Sequence, residues 1–418
     1  MDRSEMTPLT FERPYRGVGV RLVNAAYGFL GKLGHQPRPL DVDGILDLAR
    51  RKSGLPLEPS LGELREPLER LVRSFEEDAN LHPSGRLLAK LALVHFVANR
   101  LRLDALLAER PAIEEAPLRR ALVVVGLPRT GTTLLYNLLG LDPRARPLAT
   151  WESFFPVPRR ADGATKDRRR RARWMVKVID RSAPGVQSIH PLDAEGPEED
   201  TWLLAHTLVT NTFSLMGAIE SYDDWIASLD GEALERSYRH YRRQLQWLQQ
   251  ESWPVAPEHE GESFWLLKSP AHLATLEGLL RAVPEASVIQ THRDPVQVAP
   301  STCSLFAVVR SIFSDTVDSR VLGPSVSARF ADHARRAAKA RAEHPGRVVD
   351  LSFDRLVADP VAAAIGVYES CGLEVAGETR EAMERWLAGH REPPAHRYTL
   401  DQFGLDEATV RELFREGG

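Results

Sequence analysis

The residues that could do chemistry here are a glycine loop, two separated basic groups and a small set of carboxylates. Gly126 and Gly131 bracket Leu127-Pro128-Arg129-Thr130, and Thr132 and Thr133 follow directly. The apolar run Ala121–Val125 precedes the loop, and Leu134, Leu135, Leu138 and Leu139 follow it at helical spacing. Strand, tight turn and helix start, in that order, aim unpaired backbone N–H groups and the positive end of a helix dipole at one spot. Arg129 adds a positive charge there, and Thr130, Thr132 and Thr133 add hydroxyls. The stretch Arg129–Thr133 therefore reads as a phosphate cradle; a glycine turn that merely caps a helix is the plainer alternative.

The frame matches the nucleotide-triphosphate fingerprint G-x-x-x-x-G-K-[ST] except at the lysine, where Thr132 stands. That lysine normally reaches the outer phosphates, so its loss argues against ATP or GTP hydrolysis. A P-loop kinase or NTPase-like nucleotide-binding protein stays open as the alternative reading. Further on, Phe264-Trp-Leu-Leu ends in Lys268. A lysine at the end of a buried strand needs a partner, because an unpaired buried charge is costly. A bound anion would serve, as would Glu152 or Asp200; His272, about one turn beyond, could join it. The strand Ser287–His292 delivers Arg293, Asp294 and Pro295 and a helix that carries Ser301. An Arg–Asp salt bridge at the strand end accounts for the first two but leaves Ser301 unexplained.

Pro128–Thr133, reading Pro-Arg-Thr-Gly-Thr-Thr, resembles the 5′-phosphosulfate loop of sulfotransferases that use 3′-phosphoadenosine 5′-phosphosulfate (PAPS). The resemblance runs from about Ala121 to Leu373, where a strand, an Asp-Pro turn and a helix ending Cys371-Gly372-Leu373 resemble the tail of that family's core. It implies PAPS as sulfuryl donor, with Arg129, Thr130, Gly131, Thr132 and Thr133 holding its phosphosulfate. Arg293 and Ser301, eight residues apart, would hold the 3′-phosphate, and Lys268, in Lys-x-Pro, would face the transferring group. Arg397, in the basic loop before the last helix, would close over the 3′-phosphate. The family's glycine-rich version of that loop is absent. The acceptor implied is a hydroxyl, or an amine, of a small molecule, lipid or carbohydrate.

Sulfuryl transfer to a hydroxyl needs a base within hydrogen-bond reach. Glu152 occupies a place similar to that of the glutamate base of tyrosylprotein sulfotransferases. A surface carboxylate paired with Arg144 or Arg159 explains it equally without catalysis. His190, Glu198 and His206 are further candidates. Pro197, Glu198, Glu199 and Asp200 also suit a helix start, where proline and carboxylates are favoured. The catalytic set read from the sequence is thus Glu152, Arg129 and Lys268. No metal is expected, because fixed cations can meet the charge of a sulfuryl group.

These groups need a scaffold, and the apolar runs supply it. They predict an α/β fold: a P-loop-NTPase-like three-layer α/β/α arrangement with a central parallel sheet, plus an N-terminal helical region. Residues 1–112 read as helices packed on a core spanning 113–418, with amphipathic stripes at Leu61–Asn80 and Pro83–Arg102. A long apolar helix is expected over 197–216. The basic run Lys166–Arg173 reads as a solvated helix face rather than a mobile lid.

Composition sets the outer bounds. The chain has 418 residues, 43% hydrophobic and 27% charged, with a net charge of −4, so no global attraction to nucleic acid follows. Two cysteines, Cys303 and Cys371, provide no disulfide framework. The first residues lack the apolar core of a signal peptide, and no run of about 18 apolar residues appears. The expectation is a cytoplasmic enzyme with a small-molecule acceptor, no nucleic-acid partner and no membrane span. Oligomeric state is not legible.

Overall fold

The computed structural model describes residues 18–32, 39–159, 164–182, 192–390 and 398–415. Five strands, β1 (Ala121–Gly126), β2 (Ala145–Pro147), β3 (Phe264–Lys268), β4 (Ala286–His292) and β5 (Val348–Ser352), form one sheet in the order β2-β3-β1-β4-β5. Every pairing is parallel. The sequence explains this directly: all six residues of β1 and all five of β3 are buried, which only a strand covered on both faces permits.

Alternation then sorts the side chains into two layers. Val123, Val125, Trp265, Leu267 and Val288 point to one face, where helices Gly231–Glu251 and Leu276–Ala282 cover them. Leu122, Val124, Phe264, Leu266, Ile289 and Leu351 point to the other, under helices Thr132–Leu139 and Pro360–Ser370. The three-layer α/β/α fold expected from the sequence is present. A short edge strand, β2, had no counterpart in the sequence reading, since three residues carry no periodicity.

The N-terminal helices Val42–Ser53, Leu61–Glu77 and Pro83–Glu109 bury Ile45, Leu64, Leu68, Leu71, Phe75, Leu93 and Val97. They share this cluster with Leu208, Phe213, Tyr222 and Ile226. The last of these helices continues into the sheet layer through Leu103 and Leu107. The helical region is thus welded to the core at both ends of that helix.

The long helix expected over 197–216 is not there. Helix Thr201–Leu204 passes into a 3-10 turn, Ala205–Thr207, and Leu208 then adopts a left-handed φ of 58°. Thr207 Oγ1 donates to the Leu204 carbonyl at 2.7 Å and accepts from the Val209 N–H at 3.1 Å. Hydroxyls that capture backbone groups in this way break a helix that apolarity alone would continue. The basic run is largely solvated as expected, with Lys166, Arg169, Arg170 and Arg173 exposed, and departs from expectation at Arg168. It lies on helix Ala164–Ser182, but Arg168 is fully buried, ion-paired with Glu251 and 4.5 Å from the Trp151 ring.

Candidate functional site

The site begins at the carboxyl end of β1, the central strand. Gly126 takes φ +154°, and a Cβ there would meet Thr291 Oγ1 at 2.2 Å. Gly131 takes φ +89° and lies against Leu356 and Phe353. Both glycines of the fingerprint are therefore required by backbone geometry. Helix Thr132–Leu139 starts at Gly131 with no side chain capping it, so its leading N–H groups are left to a ligand or water.

The loop's own residues divide by role. Thr130 is buried; its hydroxyl donates to the Leu127 carbonyl at 2.7 Å and lies 2.6 Å from Thr291 Oγ1, tying the loop to β4. Thr132 is buried, whereas Thr133 and Arg129 are exposed. Arg129 holds a left-handed φ of 71° without being glycine. A side chain kept in that conformation costs roughly 1–2 kcal/mol, and such outliers concentrate at functional positions.

Arg293 leaves β4 and reaches the same loop. Its Nη1 donates to the Arg129 carbonyl at 3.1 Å, its Nε to Gln297 Oε1 at 3.2 Å, and its guanidinium lies 3.9 Å over the Phe353 ring. Burial, and then the nearby charge of Arg129, push the Arg293 guanidinium below its ordinary value, against the opposing pull of Asp354. Two guanidiniums that repel each other at the mouth of an uncapped helix suit an anion. Ser301 sits half-buried two turns into helix Pro295–Arg310, and its side chain makes no hydrogen bond among the described residues. The alternative Arg293–Asp294 salt bridge is not formed: Asp294 caps the next helix through the Val296 N–H and pairs with Arg411 at 3.3 Å.

Lys268 ends β3 beside Val124 of β1. Its Nζ is 3.0 Å from Glu199 Oε1 and 5.9 Å from the ring centroid of Tyr136, on the helix that the glycine loop opens. Burial alone would lower the ammonium, but the charges of Glu199, Glu198 and Asp200 outweigh it and hold Lys268 above its ordinary value. Its partner is thus Glu199, which the sequence reading did not single out. Nothing in the sequence ranks Glu199 above its neighbours Glu198 and Asp200; the turn Gly196–Asp200 decides which carboxylate faces β3. Glu199 keeps 22% of its side chain exposed, while Glu198 is buried.

Asp200 is fully buried behind this pair. Its Oδ2 lies 2.9 Å from His272 Nε2 and accepts from the Tyr241 hydroxyl at 2.5 Å; His272 Nδ1 lies 2.7 Å from the Tyr238 hydroxyl. Burial opposes ionisation of Asp200, but His272 and Tyr241 overcome it and keep the carboxyl below its ordinary value. His272 therefore braces Asp200 and does not join Lys268.

Glu152 is placed differently from the expected base. It is 4% exposed, and both of its oxygens receive the Arg146 guanidinium, at 2.7 and 3.1 Å. Its Oε2 also accepts the Ala149 N–H at 3.0 Å. Arg146 itself lies 4.0 Å over the Trp265 ring. The carboxylate is consumed in anchoring β2 to the helix Thr150–Phe154, and neither Arg144 nor Arg159 is its partner. His206 is buried and pushed by burial down to about 3, between Asn99 and the Leu203 carbonyl. His190 and Arg397 lie outside the described residues. Among the described residues there is no group of three or more His, Cys, Asp or Glu that could hold a metal. No helix there is long and apolar enough to cross a membrane.

Comparison with known proteins gives a consistent result. The sequence profile described as "Sulfotransferase family" matches residues 121–377, from β1 to the start of helix Gly377–Gly389. Over 294 residues the chain is 22% identical to the omega-hydroxy-beta-dihydromenaquinone-9 sulfotransferase Stf3 of Mycobacterium bovis, covering 66% of this chain and 69% of that one. The crystal structure of sulfotransferase STF1 from Mycobacterium tuberculosis H37Rv aligns with a TM-score of 0.76 at 27% identity, over 91% of this chain and 99% of that one. Sulfotransferase STF9 from Mycobacterium avium aligns with a TM-score of 0.76 at 26% identity, over 90% and 95%.

Proposed function

The chain belongs to the sulfotransferase family, and from that premise we propose that it moves the sulfuryl group of PAPS to a hydroxyl on an apolar acceptor. The observation that carries the nucleotide assignment is the meeting of Arg293 with the Arg129 carbonyl at 3.1 Å. Two cationic groups 164 positions apart (293 − 129) share one edge of the glycine loop, which fits a nucleotide that bears negative charge at both ends.

When bound, PAPS supplies a sulfuryl group on an anhydride whose leaving side is a phosphate. Arg129, the free N–H groups of Thr132 and Thr133, and the Thr133 hydroxyl hold that leaving side. Arg293, with Ser301 along the following helix, holds the 3′-phosphate. Lys268 stays protonated and offers charge beside the loop. Preorganised donors of this kind are each worth about 10²–10³ in rate.

Glu199 takes the acceptor proton. Its contact with Lys268, partial exposure and position at the strand end support that role, and the buried ion pair of Glu152 argues against the earlier candidate. An anion near Lys268 competes for the ammonium and frees the Glu199 carboxylate. The Mycobacterium bovis relative is named for an omega-hydroxyl on a menaquinone. The aromatic side chains Phe96, Phe154, Trp202 and Phe213 pack together around helix Thr201–Leu204, which follows Glu199 in the chain, and support an acceptor of similar apolar character.

PAPS turnover across a panel of apolar alcohols, phenols and sugars tests the reading. Release of adenosine 3′,5′-bisphosphate that depends on an apolar alcohol is expected. Turnover with sugars alone would remove the acceptor class, and failure to bind the bisphosphate would remove the donor.

A further inference from the structure

A second group of cations gathers away from the glycine loop, where the N-terminal helices face helix Ala164–Ser182. Lys52 is in the last turn of helix Val42–Ser53, Arg102 lies on helix Pro83–Glu109, Arg159 follows helix Thr150–Phe154, and Arg171 is on Ala164–Ser182. Arg102 is 6% exposed; its Nη2 donates to the Lys52 carbonyl at 2.6 Å and its Nη1 to Asn99 Oδ1 at 3.1 Å. The Arg171 guanidinium lies 4.2 Å over the Phe155 ring, which packs 4.9 Å from the ring of His95, one helical turn before Asn99. The four cations form one cluster whose charges act on one another, with Arg102 and Arg171 its more buried members and Lys52 and Arg159 exposed.

Among the described residues no carboxylate pairs closely with this cluster. Buried arginines elsewhere mostly have one: Arg100 has Asp104, Arg146 has Glu152 and Arg168 has Glu251, while Arg310 instead donates to the Ser214 carbonyl. Among the described residues the only acid within 4.0 Å of the four is Asp167, at 4.0 Å from Arg171, and it is held more closely by Arg170 at 2.6 Å. Arg171 Nη1 is buried with no hydrogen-bond partner. The strain is visible in the proton affinities. Burial, then Arg159, holds Arg102 down at about 10; burial, then Arg159 and Arg102, holds Arg171 down at about 9. Lys52 is lowered by burial and then by Arg159, Arg171 and Arg102.

We infer that Lys52, Arg102, Arg159 and Arg171 form a second anion site that takes a phosphate group, separate from the seat made by Arg129 and Arg293. Guanidiniums suit such a group because each can offer two parallel donors to its oxygens. Occupation clamps the N-terminal helices to helix Ala164–Ser182, since three of the four cations come from different helices or their ends. The phosphate can be a free ion or the headgroup of a lipid; both present the same oxygens.

The inference rests on residues outside the nucleotide seat, so its test can be separated from that assignment. Inorganic phosphate is titrated calorimetrically into the full chain and into an Arg129→Ala/Arg293→Ala background. One site is expected to persist in the background and to weaken at least tenfold when Lys52→Ala and Arg159→Ala are added. Those two side chains are exposed, and circular dichroism checks the fold. In phosphate-free buffer the same pair of substitutions is expected to raise Tm, and phosphate no longer to raise it further. A background protein that binds no phosphate, or whose affinity ignores Lys52 and Arg159, overturns the inference. Equal site counts in wild type and background would instead overturn the nucleotide seat. Tenfold tighter binding of a short-chain phosphatidic acid than of inorganic phosphate assigns the site to a lipid headgroup; equal or weaker binding assigns it to the free ion.

Discussion

The Arg293 guanidinium reaches across from β4 to the carbonyl of Arg129, so one arginine's side chain fixes the backbone from which the other projects. This contact holds the Arg129 peptide in its left-handed conformation and keeps two positive charges on the same edge of the loop. Arg293→Ala removes a charged phosphate contact and the brace together. Affinity for adenosine 3′,5′-bisphosphate, measured by calorimetry, is expected to fall well beyond tenfold, with Arg293→Lys intermediate because a lysine cannot fork. Unchanged affinity would remove Arg293 from the site.

Arg129 separates stability from binding. Arg129→Gly relieves the positive φ and is expected to raise stability in urea by about 1 kcal/mol, while nucleotide affinity falls through loss of charge. Arg129→Ala keeps the strained backbone and loses the same affinity without that gain. If glycine stabilises no more than alanine, the loop is not strained as described.

Glu199 and Glu152 are expected to fail in different ways. Glu199→Gln suppresses kcat and lowers the melting temperature, because it removes the charge paired with buried Lys268, while bisphosphate affinity stays near wild type. Glu152→Ala leaves the buried Arg146 charge unpaired and destabilises by about 3–5 kcal/mol in urea titrations. A Glu152→Gln protein that melts normally yet turns over no PAPS would return Glu152 to the role of base.

Acid stability follows from buried imidazoles. Burial holds His206 and His333 down at about 3, and lowers His95 and His240 well below the ordinary 6.5. The unfolded chain therefore binds protons below pH 6.5 that the folded chain refuses. Stability is fully present above pH 6.5 and is lost as pH falls from there toward 3. The loss is about 1.4 kcal/mol per pH unit for each imidazole that stays neutral. Urea midpoints at pH 7.5 and 5.5 check this, and His206→Gln should flatten the slope. A midpoint that rises on acidification would contradict it.

What could be read in advance was local. β1, the glycine loop and the helix after it occupy one stretch, and their apolar run and glycines dictate the backbone they adopt. Lys268 was legible because a charge closing an apolar strand has few places to go. Pairings across the fold were not. Glu152 meets Arg146 because β2 joins the sheet edge, and a three-residue strand leaves no pattern to read. Glu199 is chosen over two adjacent acids by a turn that no periodicity reports. Arg168 looked solvated in a run of like charges, yet Glu251, 83 residues on, draws it inside. Helix 197–216 failed because threonine hydroxyls competed for the backbone.

The order of the strands has a consequence for how the chain is made. β1 lies at the centre of the sheet, yet its neighbours β3 and β4 begin roughly 140 and 165 residues after it starts. At a synthesis rate of about 5–20 residues per second, β1 leaves the ribosome on the order of ten seconds or more before either edge can be paired. During that interval a valine-rich segment with both backbone edges open is an aggregation hazard of the nascent polypeptide. The helices that emerge ahead of it are the first surface on which it can shelter.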